Sequence, residues 1–174
     1  MGHYFHALLV VPGRIVLEKG RPRLDVGSEK PLRAEWRSRP LRALASRPEF
    51  VGPDLFFSIW PRTKKGKLDP RRSIVVRLNK ELPEGFSPGL HALGRLERVD
   101  REEGFFELAI LPNPEGGLKD PFSLTIWAGL ELLENLPPPG SGIRIEGELR
   151  PKSLRLVATG VEEVPLPSTG GRED

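Results

Sequence analysis

The chain has 174 residues, with 19 Gly, 19 Pro and no cysteine; the length suits one or two globular domains with real cores, and a disulfide framework or thiolate metal site is excluded. Its longest apolar run, residues 7–11, is too short to cross a bilayer and lacks the cleavage pattern of a secretory signal, so a cytoplasmic location without a membrane partner is expected. A formal charge of +3 hides a split: the first eighty residues carry eighteen Lys and Arg against seven acids, and residues 81–174 carry nine against seventeen, which points to a polyanion partner or to two halves that face each other within or between molecules.

Gly and Pro punctuate short runs of β-branched and aromatic residues at close spacing, the signature of an all-β chain. In the first half, residues 4–11 and 14–17 predict a strand bent at Pro12 and Gly13, followed by short strands over 22–26 and 32–36. Residues 40–45 predict a helical turn. Residues 54–60 and 73–78 then form a hairpin, with Leu55, Phe57 and Ile59 sharing one face and Ile74, Val76 and Leu78 on another run of the same parity.

The second half is clearer. Residues 92–99 form a strand that turns at 100–104 into a second, where Phe106, Leu108 and Ile110 alternate with polar or small residues. Phe122, Leu124 and Ile126 mark the core face of a third strand. Residues 129–137 predict a helix, with Leu130, Leu133 and Leu136 at helical spacing and Glu131 and Glu134 in its early turns. Ile143, Ile145, Gly147 and Leu149 alternate along a fourth strand, and Leu154, Leu156 and Ala158 continue the pattern in a fifth.

Three strands, a short helix and two more strands resemble the OB-fold, a small Greek-key barrel with its helix between strands three and four. The resemblance rests on element order. It implies an OB-like barrel over residues 90–164 and, because the first half reads in the same order, a second β-barrel-like unit over residues 1–82. The two meet near 82–89, and residues 165–174 form a flexible tail. The competing architecture is one larger barrel or sandwich in which the first half adds strands to the second.

Residues 61–72 (PRTKKGKLDPRR) are expected to be a long loop bearing Arg62, Lys64, Lys65, Lys67, Arg71 and Arg72 against Asp69 alone. Such cations neutralise phosphates in succession. Phe56 and Trp60, with parity opposite to the core set, offer stacking surfaces beside them, as sequence-tolerant single-strand binding requires. A second basic run, Arg33, Arg37, Arg39, Arg42 and Arg47, surrounds Trp36, which is assigned to the core on the burial tendency of large aromatics. Phe105 and Trp127 face outward among acids and suit an interface better than phosphate. His3 and His6 fall on opposite faces of a strand, unsuited to sharing a metal. No nucleophile elbow, phosphate loop or dinucleotide fingerprint is present. The expected function is therefore non-enzymatic binding of single-stranded DNA or RNA, with no catalytic residues, metal or cofactor. The alternative is a protein-interaction or assembly factor, including a homo-oligomer, held by complementary basic and acidic halves.

Overall fold

A computed structural model of the chain describes residues 3–168. It is 49% strand and 9% helical, so the all-β expectation holds. In chain order the strands are β1 (His6–Glu18), β2 (Arg21–Asp25), β3 (Glu35–Trp36), β4 (Leu55–Trp60), β5 (Thr63–Lys64), β6 (Lys67–Leu68), β7 (Ile74–Asn79), β8 (Gly89–Asp100), β9 (Phe105–Ile110), β10 (Phe122–Trp127), β11 (Gly142–Arg150) and β12 (Arg155–Val164). Helix α1 (Arg39–Ala45) precedes β4, and α2 (Leu130–Glu134) lies between β10 and β11.

The chain divides into two compact units. One, the acidic unit, is built from Leu90–Glu148 with the described parts of Met1–Ala7 and Leu156–Asp174. Its strands close into a ring because β8 pairs with both β11 and β9: Leu90–Arg95 pair with the first, and Arg95–Asp100 with the second. From β9 the ring passes to β10 (antiparallel), to β12 (parallel, at Trp127↔Val157) and back to β11. The change of partner in β8 comes at Arg95, next to Gly94, where an added Cβ would sit 2.5 Å from the Ala109 carbonyl oxygen and 2.7 Å from Leu108 Cγ. Only glycine allows that approach. Phe106, Leu108, Ile110, Leu124, Ile126, Ile145 and Leu156, the core set read from alternation, are all buried.

The other, basic unit combines Leu8–Gly89 with Leu149–Arg155. Here β1 plays the part of β8. Leu9–Gly13 pair with β4 and Arg14–Glu18 pair with β2, and the change of partner falls at the expected bend, Pro12–Gly13. Leu24 on β2 exchanges both backbone hydrogen bonds with Leu32, and the chain runs on to β3, which lies parallel to β7, itself antiparallel to β4. Phe57, Ile59, Leu9, Ile15 and Val75 fill the interior; on β7 Val75 and Leu78 are buried while Ile74 and Val76 are half-buried, which corrects the face read from Ile74, Val76 and Leu78, because the β4–β7 register shifts between Ser58 and Ile59.

Three local expectations are corrected. Residues 61–72 are not simply a loop, since β5 and β6 form a two-stranded ribbon inside it. The helix over 129–137 shrinks to Leu130–Glu134, with Leu133 its buried residue, because Pro137, Pro138 and Pro139 follow and proline cannot continue a helix. Leu154 belongs to a turn at φ 61, ahead of β12. Of the expected tail, residues 165–168 carry no regular structure, and 169–174 lie outside the described residues.

Candidate nucleic-acid interface

The basic unit holds twenty-one Lys and Arg against nine Asp and Glu, a formal charge of +12, which leaves six against fifteen, or −9, for the acidic unit. Folding thus sharpens the split seen along the chain, because Leu149–Arg155, with Arg150, Lys152 and Arg155, belongs to the basic unit.

Residues 61–72 leave β4 at Trp60 and rejoin the sheet at β7. Within them Thr63 pairs with Leu68 and Lys64 with Lys67. Lys65 and Gly66 make the two-residue turn at φ 54 and 81, the left-handed pair that matches strand twist in a tight hairpin. Glycine suits this conformation, whereas lysine there costs about 1–2 kcal/mol. Lys64 and Lys67 are direct cross-strand partners, and like charges in that relation are destabilising. Among the described residues none of the three lysines forms an ion pair. Two local costs to stability therefore coincide with three exposed ammonium groups at one hairpin tip.

The base of the hairpin is firmly held. Leu68 is buried and donates its N–H to the Leu154 carbonyl at 2.7 Å. The Asp69 N–H donates to the Arg62 carbonyl at 2.7 Å, and its Oδ1 accepts from the Arg71 N–H at 3.2 Å, with Oδ2 3.8 Å from Arg72 Nε. The buried Ser73 hydroxyl donates to the Asp69 carbonyl and accepts from the Arg62 N–H. The Arg62 side chain is half-buried, and that burial lowers its pKa. Its guanidinium stays charged at neutral pH.

Trp60 is 40% exposed at the end of β4, with the Arg37 guanidinium carbon 5.0 Å from its ring centroid. Phe56 does not join it. It is half-buried about 13 Å back along the strand, with the buried Ser58 between them. Lys64, Lys65, Lys67, Arg71 and Arg72 are all exposed.

Beside the hairpin lies a concavity of about 610 Å³ lined by Lys30, Arg33, Lys67, Arg71 and Lys152, with Glu18, Glu29 and Asp69 on its wall. Glu18 is engaged by Arg33 at 2.9 Å. Lys152 comes from a turn some eighty positions from the hairpin, which no local pattern reveals. The signal that could have found it is composition: residues 150–155 carry three basic residues and no acid in an otherwise acidic stretch. A further concavity gathers most of the second arginine run. Trp36 lines it, half-buried, which corrects its assignment to the core. Arg47 instead faces Glu49 at 3.9 Å.

The acidic unit is unlike this. Phe105 and Trp127 make an edge contact at 5.3 Å, and Arg98 lies 5.2 Å over Phe105 while facing Glu107 and Asp100 at 3.6 and 3.8 Å. That guanidinium is already neutralised. His6 Nδ1 lies 2.9 Å from the Tyr4 carbonyl, which can only accept, so Nδ1 carries the proton. Burial, opposed in part by that hydrogen bond and reinforced by Arg144, lowers the His6 pKa below 6.5. Among the described residues no cluster of His and carboxylates has the makings of a metal site, and no helix is long and apolar enough to cross a membrane.

The chain matches no protein-family model, and no curated protein or solved structure matches it significantly.

Lys65→Asn is expected to relieve the turn, since Asn tolerates the left-handed region, and to raise stability by up to about 1 kcal/mol. The same change should weaken oligonucleotide binding. Denaturant unfolding and anisotropy titration of one preparation check both signs; a loss of stability would mean that the turn is not under the strain described.

Proposed function

We propose that this chain is a non-enzymatic, cytoplasmic protein that binds single-stranded DNA or RNA through the basic hairpin, with Trp60 as a stacking surface. The observation that carries the reading is the tip Lys64–Lys67, where three lysines that make no ion pair among the described residues are held in a self-repelling arrangement that a polyanion relieves. The surrounding charge of +12 extends the same field.

Strand order supports the reading. Each unit runs first, second, third, fifth, fourth and back to first strand, with a parallel contact between third and fifth and a helix between third and fourth. We take both as OB-like barrels. In such barrels the second and third strands and the loops after strands one and four contact oligonucleotides. Residues 61–72 are the loop after the fourth strand of the basic unit.

The test is a fluorescence-anisotropy titration against single-stranded DNA, single-stranded RNA and duplex at several salt concentrations. Trp60→Ala is expected to weaken single-strand binding by about 1–3 kcal/mol with little change in salt slope, because stacking releases no counterions. If no oligonucleotide binds at low salt, the charge split instead serves a protein partner or a second copy. Sedimentation would then show salt-sensitive association, since charges beyond about 8 Å are screened at physiological ionic strength.

A further inference from the structure

The second concavity differs in character from the hairpin and shares none of residues 61–72. We propose that this arginine cleft, walled by β2, the segment containing β3, and α1, binds a compact polyphosphate: a free nucleoside triphosphate or the triphosphorylated end of a strand.

Arg21 and Arg23 stand two apart on β2 and so share a face, as do Arg33 and Arg37 on the neighbouring segment. Arg39 and Arg42 come from α1. These six arginines line one cleft of about 590 Å³, within the usual range of about 300–1,000 Å³ for small-molecule sites. Glu35 is the carboxylate on its wall. Arg33 is occupied by Glu18 and Arg37 by the Trp60 ring. Among the described residues Arg21, Arg23, Arg39 and Arg42 make no ion pair. Arg23 Nε is, moreover, buried without a hydrogen-bond acceptor, an arrangement that costs stability.

Four uncompensated cations around one cleft call for a ligand whose charge is equally concentrated. A strand backbone spaces its charges one phosphate at a time, whereas a triphosphate carries about four on adjacent phosphorus atoms. Guanidinium forks donate to phosphate oxygens two at a time. Ser38 Oγ accepts from the Leu41 N–H and so caps α1, which leaves its O–H as a donor beside the arginines. Trp36 on its wall offers a ring against which a base can stack.

Calorimetric titration of the full chain with inorganic tripolyphosphate, without magnesium, tests this. Saturable one-to-one binding is expected. The triple variant Arg21→Gln, Arg39→Gln, Arg42→Gln alters exposed residues only and should weaken it by about tenfold or more. Lys64→Gln, Lys65→Gln, Lys67→Gln removes the same charge from the hairpin and should change it by less than about twofold. Absence of binding, or equal weakening by the two variants, overturns the proposal, the latter because it would show only a general field. Tighter binding of a nucleoside triphosphate than of tripolyphosphate, with quenched tryptophan fluorescence, identifies the free nucleotide. Preference for a 5′-triphosphorylated oligonucleotide over its 5′-hydroxyl form identifies the strand end. The proposal is independent of the hairpin reading: oligonucleotide binding lost only in the lysine variant, with no tripolyphosphate binding, would retain that reading and discard this one.

Discussion

Replacing Lys64, Lys65, Lys67, Arg71 and Arg72 together by Gln is expected to flatten the dependence of log affinity on log salt by about 3.5, at about 0.7 for each single-strand phosphate that is no longer neutralised. At low salt the same variant should bind orders of magnitude more weakly, since counterion release supplies essentially all of sequence-independent affinity. All five side chains are exposed, while the groups that hold the hairpin base, Leu68, Asp69 and Ser73, are untouched. Thermal unfolding should therefore be nearly unchanged, or slightly improved by removal of the Lys64–Lys67 repulsion. A variant that keeps the wild-type salt slope would place the phosphate-binding groups elsewhere on the molecule.

In the acidic unit, Phe106→Ala should cost about 3–5 kcal/mol of stability, the range for a fully buried aromatic truncated to leave a cavity. Phe106 has no exposed surface and pairs with both Val99 and Ile126, on the two neighbouring strands. Gly94→Ala should destabilise for the opposite reason, since the new methyl collides with the Ala109 carbonyl and the Leu108 side chain, and overpacking of this kind costs about 1–3 kcal/mol. Chemical denaturation measures both. A loss below about 1 kcal/mol for Phe106→Ala would mean that the strand presents its other face to the core.

Strand faces were legible because alternation is a local property. Residues 105–110 and 122–127 each carry their own parity, and five core residues named from it, Phe106, Leu108, Ile110, Leu124 and Ile126, are buried. Partner exchange along a strand is not local. That β8 and β1 each change partner along their length follows from bends whose meaning depends on what lies across them, although Pro12–Gly13 marked one in the sequence. The ribbon of β5 and β6 was hidden because two-residue strands are too short to show a period, and its turn places Lys65 where Asn or Gly is the usual signal. The site was legible as charge and only partly as geometry. Lys152 enters through a turn remote in sequence, Trp36 lines a cleft instead of lying in the core, and Phe56 is set apart from Trp60 along the strand.

Amine-reactive labelling of lysines, read by mass spectrometry with and without a saturating single-stranded oligonucleotide at low salt, tests the central claim most directly. The account predicts strong protection of Lys64, Lys65 and Lys67, protection of Lys30 and Lys152 beside them, and unchanged labelling of Lys119 in the acidic unit. Equal labelling of Lys64, Lys65 and Lys67 with and without the oligonucleotide would contradict it.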